Sequence, residues 1–168
     1  MLENYPDDDS ERIEVNYTTD IQRFINLFED RKLALDIFTV VEDGRLDSKI
    51  KMEYRGLQHE YGNIQRDSMA DRPEIKKMPA REAMFEFLVL LSLQQSDVIP
   101  VPKQYEEQAR TIRAIAKTVF VPDSTIEDVA EATIRIYALI SDITNEASSN
   151  MDWQDLNMED SFDESYED

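Results

Sequence analysis

Cysteine is absent from this 168-residue chain, and histidine occurs once, at His59. Without thiolates there is no disulfide framework and no sulfur-based metal site, and one imidazole cannot supply the usual zinc sets. Nor can it supply the two Glu-x-x-His pairs of a bundle di-iron site. Glycine is scarce, at 3 residues, which argues against a fold built on loops and β-turns. Neither G-x-x-x-x-G-K-[ST] nor G-x-G-x-x-G occurs, so the phosphate-cradling loops are missing. Nucleophile–histidine–acid catalysis would have to use His59, which sits at Gln58-His59-Glu60 and reads as a surface or boundary side chain. No apolar stretch approaches the roughly 20 residues of a membrane span. The opening Met1-Leu2-Glu3-Asn4 leads into Asp7-Asp8-Asp9, so no signal peptide is expected. With no cysteine, the expectation is a cytoplasmic protein.

Carboxylates, by contrast, abound: 37 acids stand against 18 bases, a net charge of -19. Residue type alone therefore admits a two-carboxylate hydrolase. A catalytic acid needs a site that raises its pKa, and only Glu86, between Phe85 and Phe87, lies inside an apolar run. It is expected at a boundary, or paired with Arg81 or another base. Asp7-Asp8-Asp9 and the C-terminal acids lack the spaced ligands and central glycine of an EF-hand. The expectation is a protein with no cofactor and no metal that binds other macromolecules and is not an enzyme.

The acidity is unevenly placed. Residues 1–20 carry -6 and residues 118–168 carry -13, while 21–117 sum to zero. Within 45–81 nine bases meet six acids, a local +3. Net charge alone would argue against a nucleic-acid partner, but the central body leaves that partner open.

Hydrophobic periodicity predicts an all-α, single-domain bundle of about five helices over 19–148. A loose acidic arm (1–18) precedes it, and an acidic, disordered tail (149–168) follows. A first helix starts at the caps Thr19 or Asp20 and runs through Ile21, Phe24, Ile25, Phe28, Leu35, Phe38 and Val41 to a stop at Gly44. Leu33 to Val41 also admits a strand, with helix preferred. Leu46, Ile50, Tyr54, Leu57, Tyr61 and Ile64 make a heptad-type seam for a second helix, ended by Arg72-Pro73. A third helix after Pro79 is apolar almost all round and belongs in the middle. Val98-Ile99-Pro100-Val101-Pro102 reads as an extended link. A fourth helix spans about 103–120, and Pro122 breaks it. Ser124-Thr125-Ile126-Glu127 fits a capping box for the fifth. Trp153, Leu156, Met158, Phe162 and Tyr166 interrupt the acidic tail, and large apolar groups of this kind can anchor a docking peptide.

Three basic clusters are the candidate binding residues. Arg110, Arg113 and Lys117 share one face of the fourth helix at spacings of three and four. Lys51, Arg55 and Arg66 share a face of the second helix with Gln58 and Gly62. Lys76 and Lys77, with Arg81, surround a loop and a helix start. Ordinary solvated faces look the same, with Glu53, Glu60 and Glu106 near enough to pair. As functional rows they would track a phosphate backbone without reading sequence.

A small, cysteine-free, helical chain with short basic rows and no catalytic motif resembles the small subunits of CRISPR surveillance complexes. It is most similar to the type I-D kind, the counterpart of the helical C-terminal part of the large subunit. The acidic opening Met1-Leu2-Glu3-Asn4-Tyr5-Pro6-Asp7 would suit a start inside a longer reading frame. The resemblance covers about 19–148, in shape and composition, and carries over no individual residue. It implies a non-catalytic subunit that stacks along the complex and steadies guide RNA with target DNA, or the displaced strand. Its partners would be other subunits, further copies of itself, and RNA or single-stranded DNA, with no membrane. The alternative is an acidic protein-binding adaptor or inhibitor, one whose surface imitates nucleic acid.

Overall fold

The computed structural model describes residues 18–93 and 98–158. The arm expected over 1–18, save Thr18, and the acidic residues 159–168 lie outside them. The described residues form six helices and one two-stranded ribbon. In order these are α1 (Asp20–Ile25), α2 (Arg31–Glu53), α3 (Gln58–Ala70), α4 (Ala80–Leu93), β1 (Val98–Pro102), α5 (Glu106–Val119), α6 (Ile126–Ser141) and β2 (Trp153–Asn157). The all-α reading holds, and no described helix is long and apolar enough to cross a membrane.

The expected first helix is two. Thr19 caps α1 by accepting from the Gln22 backbone at 3.2 Å, and the Gln22 side chain accepts from the Thr19 N–H at 2.9 Å. Asp30 then starts α2 by accepting from the Leu33 backbone at 3.0 Å. The backbone N–H of Asp30 donates to the Tyr137 hydroxyl at 2.9 Å, which pins the break between α1 and α2 to α6. Phe28 packs edge-on against the same tyrosine, ring centres 4.7 Å apart. Residues 33–41 are helical, and Ala34, Ile37, Phe38 and Val41 are buried at helical spacing.

Gly44 does not stop this helix. α2 runs on through it to Glu53, and the Phe120 ring at the end of α5 lies against its bare backbone. A Cβ at position 44 would come within 2.7 Å of the ring's Cζ, so glycine here serves close helix packing.

The expected second helix does not exist as one rod. Tyr54 leaves the helical region (φ -117°, ψ 64°), and α3 doubles back along α2. The Gln58 amide donates to the Lys51 carbonyl at 2.9 Å. Further along, the Tyr61 hydroxyl and the Gln65 amide both donate to the Asp47 carboxylate, at 2.5 and 3.3 Å. The reversal splits the heptad seam, leaving Tyr54 57% and Ile64 60% exposed.

The hydrogen bond to Asp47, partial burial and the Asp47 charge push the Tyr61 phenol up to about 12 from 10.0. The folded state thus favours the neutral phenol. Its contribution is whole below about pH 10 and is lost as pH rises through about 12. Ultraviolet absorbance titration should show one phenol ionising near pH 12, a step that Tyr61→Phe removes.

α4 occupies the centre, as its all-round apolar sequence requires, with Met84, Phe87 and Leu88 fully buried among α2, α5 and α6. The extended link is strand β1, antiparallel to β2 with Val98 opposite Asn157 and Pro102 opposite Trp153. Prolines suit a strand that lies at a sheet edge, and both strands of a ribbon are edges. The stretch 149–158, expected as part of a disordered tail, is instead packed on the body: Met151 and Leu156 are core residues, at 8% and 1% exposure. The α6 cap also sits one residue later than read. Thr125 and Asp128 form the box, while the Ser124 hydroxyl is buried and donates to the carbonyls of Val119 and Val121.

Candidate nucleic-acid interface

The three basic clusters meet different fates. On α5 the arithmetic of the face is right, but the face is not open. Arg113 is 5% exposed and donates to the Asn157 carbonyl at 2.7 Å, with the Met158 sulfur 3.6 Å away. Its guanidinium thus latches the end of β2 onto α5, a structural task. Arg110 is exposed and bonds the Glu106 carboxylate at 2.7 Å. Bonds from the Gln154 side chain and from Arg110 hold the Glu106 carboxyl below its ordinary range. Lys117 stands exposed in the last turn of α5, and burial together with the Arg113 charge lowers its pKa.

On the α2–α3 hairpin, Lys51, Arg55 and Arg66 do not lie on one helix. Lys51 is half-buried near the end of α2, and burial lowers its pKa. Arg55 is exposed in the short 3-10 turn Arg55–Leu57, next to the exposed Tyr54 ring. Arg66 is exposed on α3. It shares an outward face with His59 and Gly62, at spacings of three and four. A Cβ at Gly62 would meet nothing within 4 Å, so this face has room for another chain to approach the helix backbone. Lys76 and Lys77 are exposed on a second 3-10 turn, held by the buried Ile75 between α3 and α4, and Lys77 pairs with Glu74 at 2.9 Å. The eight residues therefore do not form one row. The open ones are Arg55, Arg66 and Lys76, while Arg113 belongs to the interior.

Glu86 is buried at 3% exposure and holds Arg72 in a two-pronged pair, Nε to Oε1 at 2.7 Å and Nη2 to Oε2 at 2.5 Å. Its partner is not Arg81, which donates to the carbonyls of Ser141 and Ile143 at the end of α6. Both oxygens of Glu86 are engaged, so this carboxylate clamps the α3–α4 loop to α4. Arg72, the Asp47–Tyr61–Gln65 triad and Arg45, which bonds Glu42 and the Ser124 carbonyl, are structural polar residues that sequence spacing does not single out. Their partners lie on other elements or across a break. His59 is exposed, and no group of three or more acidic or histidine side chains among the described residues is placed to hold a metal. No protein-family model, characterised protein or solved structure matches this chain.

Proposed function

We propose that this chain is a non-catalytic subunit of a nucleoprotein complex, of the kind that CRISPR small subunits represent, and that it holds polynucleotide by sequence-independent backbone contacts. The observation that carries the reading is the outer surface of the α2–α3 hairpin. There Arg55 and Arg66 stand exposed, Tyr54 offers an open aromatic face, and Gly62 leaves space for close approach. Cations with an aromatic ring suit a single strand, whose phosphates seek charge and whose bases stack. The acidity does not oppose this, because residues 21–117 are neutral overall.

Labelled single-stranded RNA and DNA should bind in a fluorescence-anisotropy titration, with affinity falling steeply as salt rises. The double variant Arg55→Glu/Arg66→Glu should weaken binding at least about tenfold while its circular dichroism stays unchanged. Absence of binding at low salt, or equal binding by the variant, overturns the proposal. Reversal at Arg113 would not serve as a test, because it breaks the latch on β2.

One observation favours a protein partner instead. Tyr54, Leu57 and Ile64 leave apolar surface on the hairpin, at 57%, 48% and 60% exposure. Under that reading the chain is an adaptor, and a native pull-down keeps its partners after nuclease treatment.

A further inference from the structure

Where α1 gives way to α2, a cleft of about 520 Å³ opens against the start of α4 and the end of α6. That is an ordinary size for a small-molecule site. Its polar walls are held in place. Nε and Nη2 of Arg81 donate to the carbonyls of Ser141 and Ile143, which fixes the guanidinium on the end of α6. The remaining nitrogen, Nη1, bonds no described residue, and neither does the Ser141 hydroxyl. Both side chains are half-buried, yet no side-chain nitrogen or oxygen among the described residues is both unpaired and sealed from water. These two groups are therefore open to solvent. The Tyr137 hydroxyl accepts from the Asp30 N–H, and its own proton has no described acceptor. Arg31, exposed on the first turn of α2, lines the same cleft and forms no ion pair with a described residue. Two cations and two hydroxyls thus border one space. Of the two acids there, Asp30 turns to the α2 backbone, its Oδ1 accepting from the Leu33 N–H at 3.0 Å. Glu29 bonds no described residue.

We propose that this cleft binds a phosphomonoester that also carries hydroxyl groups, either a free sugar phosphate or the 5′-phosphorylated end of a strand. The phosphate is held by Arg81 Nη1, Arg31 and the hydroxyls of Tyr137 and Ser141. Two cations and two hydroxyls suit a doubly charged group with three terminal oxygens better than a carboxylate. Because bonds within the fold already fix Arg81 and Tyr137, little ordering is left for the ligand to impose. Glu29 accepts from a ligand hydroxyl, and Leu33 with the Tyr137 ring supplies the apolar wall. The site is separate from the hairpin surface. It lies at the first turn of α2, whereas Arg55 lies just past the last of that helix's 23 residues, about 34 Å along its axis. It stands whether or not the hairpin holds polynucleotide.

The test is calorimetric titration of the full chain with ribose 5-phosphate and with inorganic phosphate at low salt. Ribose 5-phosphate should bind with a Kd below about 1 mM, and inorganic phosphate more weakly. Arg31→Glu should weaken both at least about tenfold. Glu29→Gln should weaken ribose 5-phosphate about threefold and leave inorganic phosphate no weaker, because only the sugar offers hydroxyls. Both side chains are exposed, so thermal melts of the two variants should match the parent. No saturable binding of either probe, or equal binding by the parent and Arg31→Glu, overturns the site. Equal loss of both probes in Glu29→Gln overturns the role of Glu29. Oligothymidine with and without a 5′-phosphate separates the two sources. If only the phosphorylated strand displaces ribose 5-phosphate, the occupant is a strand end. If neither does, it is a free sugar phosphate. Displacement by both strands alike overturns recognition of the phosphomonoester.

Discussion

Replacing Arg72 with alanine should lower the unfolding free energy by about 3 kcal/mol, which moves Tm by roughly 6–12 °C in a chain of this size. The loss comes from Glu86. That carboxylate is 3% exposed, and Arg72 holds both its oxygens. With the arginine gone, a buried charge stays on α4 without its counter-ion. Removing one partner from a fully buried pair costs more, but the Arg72 side chain is 36% exposed, so water weakens the pair. Arg72→Ala combined with Glu86→Leu should recover most of the loss, because the double variant has no stranded charge. Thermal melts of the parent, both single variants and the double variant decide the point. Equal melting of Arg72→Ala and the parent would mean the clamp contributes nothing.

A second large effect is expected at Gly44. Gly44→Val should destabilise by about 3 kcal/mol even though valine is the better helix former. Its Cβ alone would enter the Phe120 ring, with Cζ at 2.7 Å, and its two methyl groups add to the overlap. Either α5 tilts away from α2 or the ring leaves its seat, and both open the core near Val41 and Val119. Phe120→Ala gives up packing by itself, yet it should make Gly44→Val nearly harmless. A double-mutant cycle from urea titrations measures that coupling. Simple additivity would show that the ring has room to move.

How much could be read from the residues depended on whether the deciding signal was local. α4 was legible because a helix apolar on every side has only the centre to occupy. α5 was legible because Ala109, Ile112, Ala116 and Val119 repeat cleanly, and all are buried. The reversal at Tyr54 was not legible. No proline marks it, and the apolar spacing runs through it unbroken. What makes the hairpin is a set of side-chain bonds across it, from Tyr61 and Gln65 to Asp47. The ribbon was hidden for a related reason, since the partner of Val98–Pro102 lies about fifty residues further on. The binding rows were legible as spacing but not as exposure. Helical arithmetic puts Arg113 on a polar face, and only the position of β2 shows that this face is covered.

The ribbon also sets the order in which the molecule can be completed during synthesis. β1 leaves the ribosome well before β2 has been made. Over that interval Ile99 and Val101 lack the strand that covers them, and Arg113 lacks the carbonyl it will hold. The helices from α2 to α6 must therefore associate first, through contacts nearer in sequence, and closing a loop as long as the one from β1 to β2 comes last. A nascent chain stalled before Trp153 would keep an oily strip and a buried-type arginine open to water, and it is at this stage that a chaperone would find the most to hold.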